Sequence, residues 1–148
     1  MAIDVTTEIV INRPRHQVSD FAANPDNAPS WYVNIKQVTW ETPKPLTIGS
    51  RVAFVATFLG RTLSYTYEFT KLEPGRTLIM STKQGPFPME TTYSWDDAPG
   101  DFTRMTLRNT GSPSGFSALA APLLSAQMRK ANEADLRALK MILEASTP

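Results

Sequence analysis

The stretch from Phe116 to about Ala145 constrains this chain most, because it reads as one long helix with a carboxylate on its apolar side. At about 100° per residue, Arg129, Glu133, Arg137, Lys140 and Glu144 gather on one flank, and Leu124, Met128, Ala131, Leu139 and Ile142 gather on the other. Asp135 falls in the middle of the apolar flank. A charge there is expensive to bury unless it is paired, protonated or turned toward a wet cavity. The residues before this helix read almost wholly as short strands. The pattern therefore points to a hollow protein, a sheet roofed by a helix with an acid group looking into the space between them.

Composition narrows the alternatives. A chain of 148 residues predicts one domain spanning 1–148, with enough buried surface for one real core. Its 15 basic and 14 acidic residues leave a net charge of +1, spread along the chain, and give no electrostatic footprint for nucleic acid or an anionic membrane. There are no cysteines, which removes disulfides, thiolate metal sites and a cysteine nucleophile. The segment Ile3–Ile9 alternates instead of forming the apolar block of a leader peptide. The apolar run Phe116–Met128 is too short for a membrane span and is interrupted by Ser117, Pro122, Ser125 and Gln127. The expectation is a cytoplasmic protein without membrane insertion, monomeric or homodimeric.

Residues 3–11 place Ile3, Val5, Ile9 and Ile11 on one face, as a half-buried first strand does. Asn12-Arg13-Pro14 then offers a cap and a proline for a first helical turn, with Val18, Phe21 and Ala22 at helical spacing. That helix ends near Asn24-Pro25, and the punctuated segment Asp26–Tyr32 has room for one more helical turn that lays Trp31 against the sheet. Pro43-Lys44-Pro45, Gly60, Glu73-Pro74-Gly75, Gly85-Pro86-Phe87-Pro88 and Asp97-Ala98-Pro99-Gly100 mark breaks. They separate strands at Ile35–Glu41, Ser50–Leu59, Arg61–Leu72, Arg76–Lys83, Met89–Asp96 and Phe102–Thr110. Connections this short mean hairpins and one antiparallel sheet. Pro122 predicts a kink or a frayed first turn in the closing helix.

Several segments in this order carry a family resemblance. They are Ile11-Asn12-Arg13-Pro14 entering the first helix, Trp31 after it, Pro45-Leu46-Thr47-Ile48-Gly49 before the third strand, Gly85-Pro86-Phe87-Pro88, and Asp135-Leu136-Arg137-Ala138-Leu139-Lys140 with Glu144. Together they resemble the START-like helix-grip fold of the SRPBCC superfamily, and within it the polyketide cyclase/dehydrase type, over essentially the whole chain. The resemblance implies an α+β fold: a seven-stranded antiparallel curved sheet, two short helices after strand 1, and a long C-terminal helix over the concave face. It also implies an internal cavity for a small apolar or amphipathic molecule such as a lipid, polyketide or aromatic metabolite, roofed by Gln127, Ala131 and Asp135. No cofactor is implied. Members include carriers, receptors, cyclases and dehydratases, so fold alone does not choose a function.

Asp135 is the strongest site candidate, as a general acid or base or as an orienting group, because an unpaired carboxylate on an apolar face has a raised pKa. The plainer reading is that it pairs with an inward arginine or caps a loop. Gln127 and Asn109 either orient a polar ligand group or bond nearby backbone. Tyr65, Tyr67 and Tyr93 join Phe58, Phe69, Trp95 and Met105 on the inner face, as an apolar wall with hydroxyl handles or as ordinary core aromatics. Trp31, Met80, Phe87 and Met89 either rim the entrance or plug the core. His16, the lone histidine, falls outside the apolar set of its helix, which leaves the cavity without an imidazole base and argues against a metal site. Glu68 and Glu90 are expected to face Arg104 and Arg108 on the outer side of the sheet. The glycines form no phosphate-binding pattern. Binding of a small apolar ligand leads these readings, because the cavity offers one carboxylate and no histidine. The alternative is a cyclase or dehydratase in which Asp135 moves a proton and tyrosine hydroxyls hold a carbonyl or enolate oxygen. A third reading is a protein-interaction domain with a solid core.

Overall fold

Alternation at Ile3, Val5, Ile9 and Ile11 gives β1 (Ile3–Ile11) one face that turns inward, and the chain then leaves the sheet at Pro14. The ring of Pro14 fixes its φ at −61° and disfavours helical backbone at Arg13, so α1 (Arg15–Ala23) cannot begin earlier. Pro14 itself occupies the cap position. The expected cap from Asn12 does not form, and the helix starts with no side-chain cap. A short turn of 3-10 helix (Pro25–Asn27) and α2 (Ala28–Trp31) follow, and they carry the chain across to the opposite edge of the sheet.

The computed structural model describes residues 2–58, 60–84 and 87–145. Leu59, expected at the end of a strand, Gly85 and Pro86, expected at a turn, and the side chain of Phe58, expected on the inner face, lie outside the described residues. The six remaining strands are β2 (Ile35–Trp40), β3 (Arg51–Phe58), β4 (Arg61–Glu73), β5 (Thr77–Thr82), β6 (Met89–Ala98) and β7 (Phe102–Gly111). They form one sheet in the order β1-β7-β6-β5-β4-β3-β2, with every pair antiparallel. Register irregularities between Phe69 and Lys71 in β4, and between Ile35 and Gln37 in β2, bend these strands and help the sheet to curve. On the outer face Arg108 pairs with Asp4 and Arg104 with Glu8, both carboxylates on β1 and each diagonal to its arginine in the register, while Glu90, diagonal to Arg108 on β6, adds a smaller electrostatic pull on it and Glu68 pairs with neither arginine. Glu68 stands opposite Arg51, and Glu90 opposite Thr110.

The closing helix is two helices, α3 (Phe116–Leu119) and α4 (Ala121–Ala145). Pro122 lacks the N–H that would reach the carbonyl of Ala118, and its ring would crowd that carbonyl; the N–H of Ala120 takes it instead. The 25 residues of α4 span about 37 Å and pack most extensively along β1. Its C-terminal half sits on solid core, where Leu136, Leu139 and Leu143 meet Ile11, Val18, Trp95 and Met105. Its N-terminal half sits differently. There Leu124 and Met128 touch only the margin of a smaller cluster of Ile3, Val5, Phe87 and Ala121. The far end is fastened by Glu144, which accepts from the backbone N–H of Asn12 at 2.8 Å and from Lys140, while Lys140 also donates to the carbonyl of Val10.

Candidate active or binding site

Where α4 and the sheet diverge, a cavity of about 210 Å³ remains. Period-two alternation builds its wall, with Tyr65 and Tyr67 from β4, Met80 from β5, Met89 and Tyr93 from β6, and Asn109 from β7. Phe87 closes one side just before β6. Its ring lies over Gly111, where a Cβ would stand 2.7 Å from the ring edge, so the missing side chain makes the close approach possible. Phe69 also lines the space, whereas Trp95 and Met105 are fully buried in the core and do not.

Helix geometry selects the roof. Leu124, Met128 and Ala131 fall within about 40° of Asp135 around the axis, and all four line the cavity. Gln127 falls about 80° away and does not line it, while Asn132, about 60° to the other side, does. Asn132 therefore replaces Gln127 among the expected roof residues. Trp31 is likewise not at an entrance. It is 1 % exposed and stacks in the core against the rings of Tyr32 and Tyr93, with centroids 4.2 and 5.8 Å away. The single turn of α2 sends Trp31 into the core and leaves its neighbour Tyr32 to line the cavity.

Several polar groups join the apolar lining. Asp135 is 3 % exposed and has no ion pair among the described residues; its Oδ1 accepts the backbone N–H of Val33 at 2.9 Å. It thus fastens the segment after α2 and lines the cavity at once. Burial pushes its carboxyl up to about 6, against the smaller opposing pull of the Val33 bond. The hydroxyls of Tyr32 and Tyr93 are 2.5 Å apart, and burial raises both well above the usual tyrosine range, with the charge of Asp135 adding to the shift. Burial raises Tyr67 to about 12, although its bond to Thr91 opposes the shift. Thr91 in turn donates to Asn109 Oδ1 at 2.6 Å. His16 is exposed on α1.

These shifts fix what the site can do. Its tyrosines stay neutral and act as hydrogen-bonding hydroxyls, so Asp135 is the one lining group shown to change protonation near neutral pH. Among the described residues, no lysine, arginine or histidine lines the cavity, and no cluster of ligands could hold a metal ion. Tyr32, Thr91 and Asn132 line the cavity without having been expected there from sequence. Wheel arithmetic could have found Asn132, because it precedes Asp135 by one helical turn.

Residues 2–144 match the sequence model of the family described as polyketide cyclase / dehydrase and lipid transport. The chain belongs to that family. The fold is that of START-superfamily structures. A START superfamily protein from Mycobacterium smegmatis is 13% identical with a TM-score of 0.84, over 97% of this chain and 99% of that one. A protein from Thermus thermophilus is 19% identical with a TM-score of 0.82, over 98% and 99% of the two chains. The Zhui aromatase/cyclase from Streptomyces sp. R1128 is 15% identical with a TM-score of 0.82, over 97% and 94%. Among curated proteins none matches. Family and fold together support a ligand-binding or cyclase role for this polyketide cyclase / dehydrase family member. No helix among the described residues is long and apolar enough to cross a membrane.

Proposed function

We propose that this family member binds a small, largely apolar molecule in the cavity under α4, with the polar end of the ligand set against Asp135 and the Tyr32–Tyr93 pair. The observation that carries this reading is the contrast within one lining. Phe54, Phe69, Leu78, Met80, Leu124 and Met128 supply apolar wall, and a single carboxyl supplies the only formal charge among the described lining residues. Such a surface gains affinity from burial and orientation from a few polar groups. Native mass spectrometry of the purified protein, followed by a melting screen across sterols, fatty acids, flavonoids and aromatic polyketides, tests it. A true ligand at a hundredfold excess over its Kd stabilises the fold by about 2.7 kcal/mol. Ala131→Phe, which fills the roof, keeps the unliganded melting temperature and loses the shift. No co-purified molecule and no shift across the whole panel would overturn the reading.

A second reading, a cyclase or dehydratase, is favoured by one specific observation, the pKa of about 6 at Asp135 beside two neutral tyrosine hydroxyls. A carboxyl poised there can take or return a proton near neutral pH while a hydroxyl stabilises a developing enolate oxygen. On this reading Asp135→Asn abolishes turnover of a bound polyketone while its Kd stays within a few-fold. Unchanged turnover by that variant removes the mechanism and leaves the binding role standing.

A further inference from the structure

The apolar wall of the cavity includes one buried polar donor without a partner among the described residues. Asn132 is 5 % exposed, lines the space, and its Nδ2 has no hydrogen-bond partner among the described residues. Trp31 and Trp95 also bury an indole N–H without a partner, but neither lines the cavity. An unpaired amide donor buried against apolar surroundings is costly unless something in the space accepts from it. One helical turn further on, Asp135 commits Oδ1 to Val33 and has no other hydrogen bond among the described residues. Positions three apart on a helix stand about 5–6 Å apart at Cβ, so both groups can reach one ligand head.

Each class of head group fares differently at this pair. An ammonium satisfies the carboxylate but gives the Asn132 nitrogen nothing to donate to. A carboxylate or phosphate accepts from Asn132 but brings a second negative charge beside Asp135, and no described lysine, arginine or histidine lines the cavity to offset it. A neutral head holding a hydroxyl next to a carbonyl meets both demands, since the carbonyl accepts from Asn132 and the hydroxyl donates to Asp135. We infer that Asn132 and Asp135 form a specificity pair that admits neutral hydroxy-carbonyl ligands and rejects anionic ones, including free fatty acids entering head-first. This rests on the ligand-binding reading above and adds to it which head groups the cavity takes.

Three probes of similar size separate the two statements: 2-naphthyl hydroxymethyl ketone as the hydroxyketone, a hydroxynaphthoate, and ethylnaphthalene, titrated calorimetrically at about pH 8, where an aspartate is ionised. The wild-type protein is expected to bind the hydroxyketone at least about tenfold more tightly than either other probe. Asn132→Leu should bring the hydroxyketone to within about twofold of ethylnaphthalene, whose own binding persists and reports an intact cavity. Asp135→Asn should admit the hydroxynaphthoate and close most of the second gap. Equal wild-type affinity for hydroxyketone and hydroxynaphthoate, or a full hydroxyketone preference surviving in Asn132→Leu, overturns the specificity pair and leaves ligand binding intact. Failure of all three probes to bind the wild type overturns the specificity pair, while the ligand-binding reading falls only if the native mass spectra and the whole melting panel are also empty.

Discussion

At the scale of single residues, Asp135 both costs stability and shapes the site. Its carboxyl titrates near 6 in the folded chain against an ordinary value of 3.8, so between those values the native state holds more protons than the unfolded chain. Stability therefore falls as pH rises through that window, by about 3 kcal/mol once it is passed, and is flat above it. Asp135→Asn keeps an acceptor for the Val33 N–H and removes the charge. Its stability should match wild type near pH 3.5 and exceed it by about 3 kcal/mol at pH 7.5, as read from urea titrations across that range. The Tyr32–Tyr93 contact behaves as a pair. Either tyrosine changed to Phe leaves the other hydroxyl buried alone and costs about 1–2 kcal/mol, whereas the double variant costs no more than the worse single one. Additive losses in a double-mutant cycle would show that the two hydroxyls do not depend on each other.

At the scale of elements, α2 and the Phe87 segment border the cavity from outside the strands. Helix α2 is a single turn, far too short to be stable by propensity, and its anchor is Trp31 against Tyr32 and Tyr93. Trp31→Ala should cost about 3–5 kcal/mol in chemical denaturation, because a full indole volume is lost from the core. Gly111→Ala should cost about 1–3 kcal/mol, since the added methyl meets the Phe87 ring and the carbonyl of Pro88 3.1 Å away and one of them must yield. A Gly111→Ala protein as stable as wild type would mean the Phe87 ring moves freely. Most elements are legible in the chain itself. The alternation at Ile3–Ile11 and the glycine and proline breaks give each strand, and Pro122 marks the place where the terminal helix divides. The error at Asn12 is also local: proline stiffness overrides a good capping residue two positions upstream.

For the whole molecule, one carboxylate helps to join the end of α4 to the segment that follows β1. Glu144 at the end of α4 accepts from Lys140 and from the Asn12 N–H that follows β1, and these bonds, Lys140 first, hold its pKa below the usual range. The sign is opposite to that of Asp135. A depressed pKa contributes stability that is present above the ordinary glutamate value of 4.5 and is lost as pH falls through the folded value. Glu144→Gln should therefore lower stability by about 1 kcal/mol at pH 7 and by nothing near pH 2, with the loss appearing first as faster amide exchange in the last turns of α4. Equal exchange in the two proteins at pH 7 would show that the Glu144 carboxylate does not fasten the end of the helix.

The amino-acid order by itself determined the strands, the antiparallel sheet, the long amphipathic roof and the odd acid within it, because each is a matter of short-range periodicity and turn chemistry. What only the tertiary structure decided was which of two nearby side chains faces the hollow. Tyr32 lines it while Trp31 is core, and Asn132 lines it while Gln127 does not. Those choices turn on the rotation of α4 along β1 and on the angle at which a one-turn helix meets the sheet. Both are set by packing between segments about a hundred residues apart, for which local sequence carries no signal.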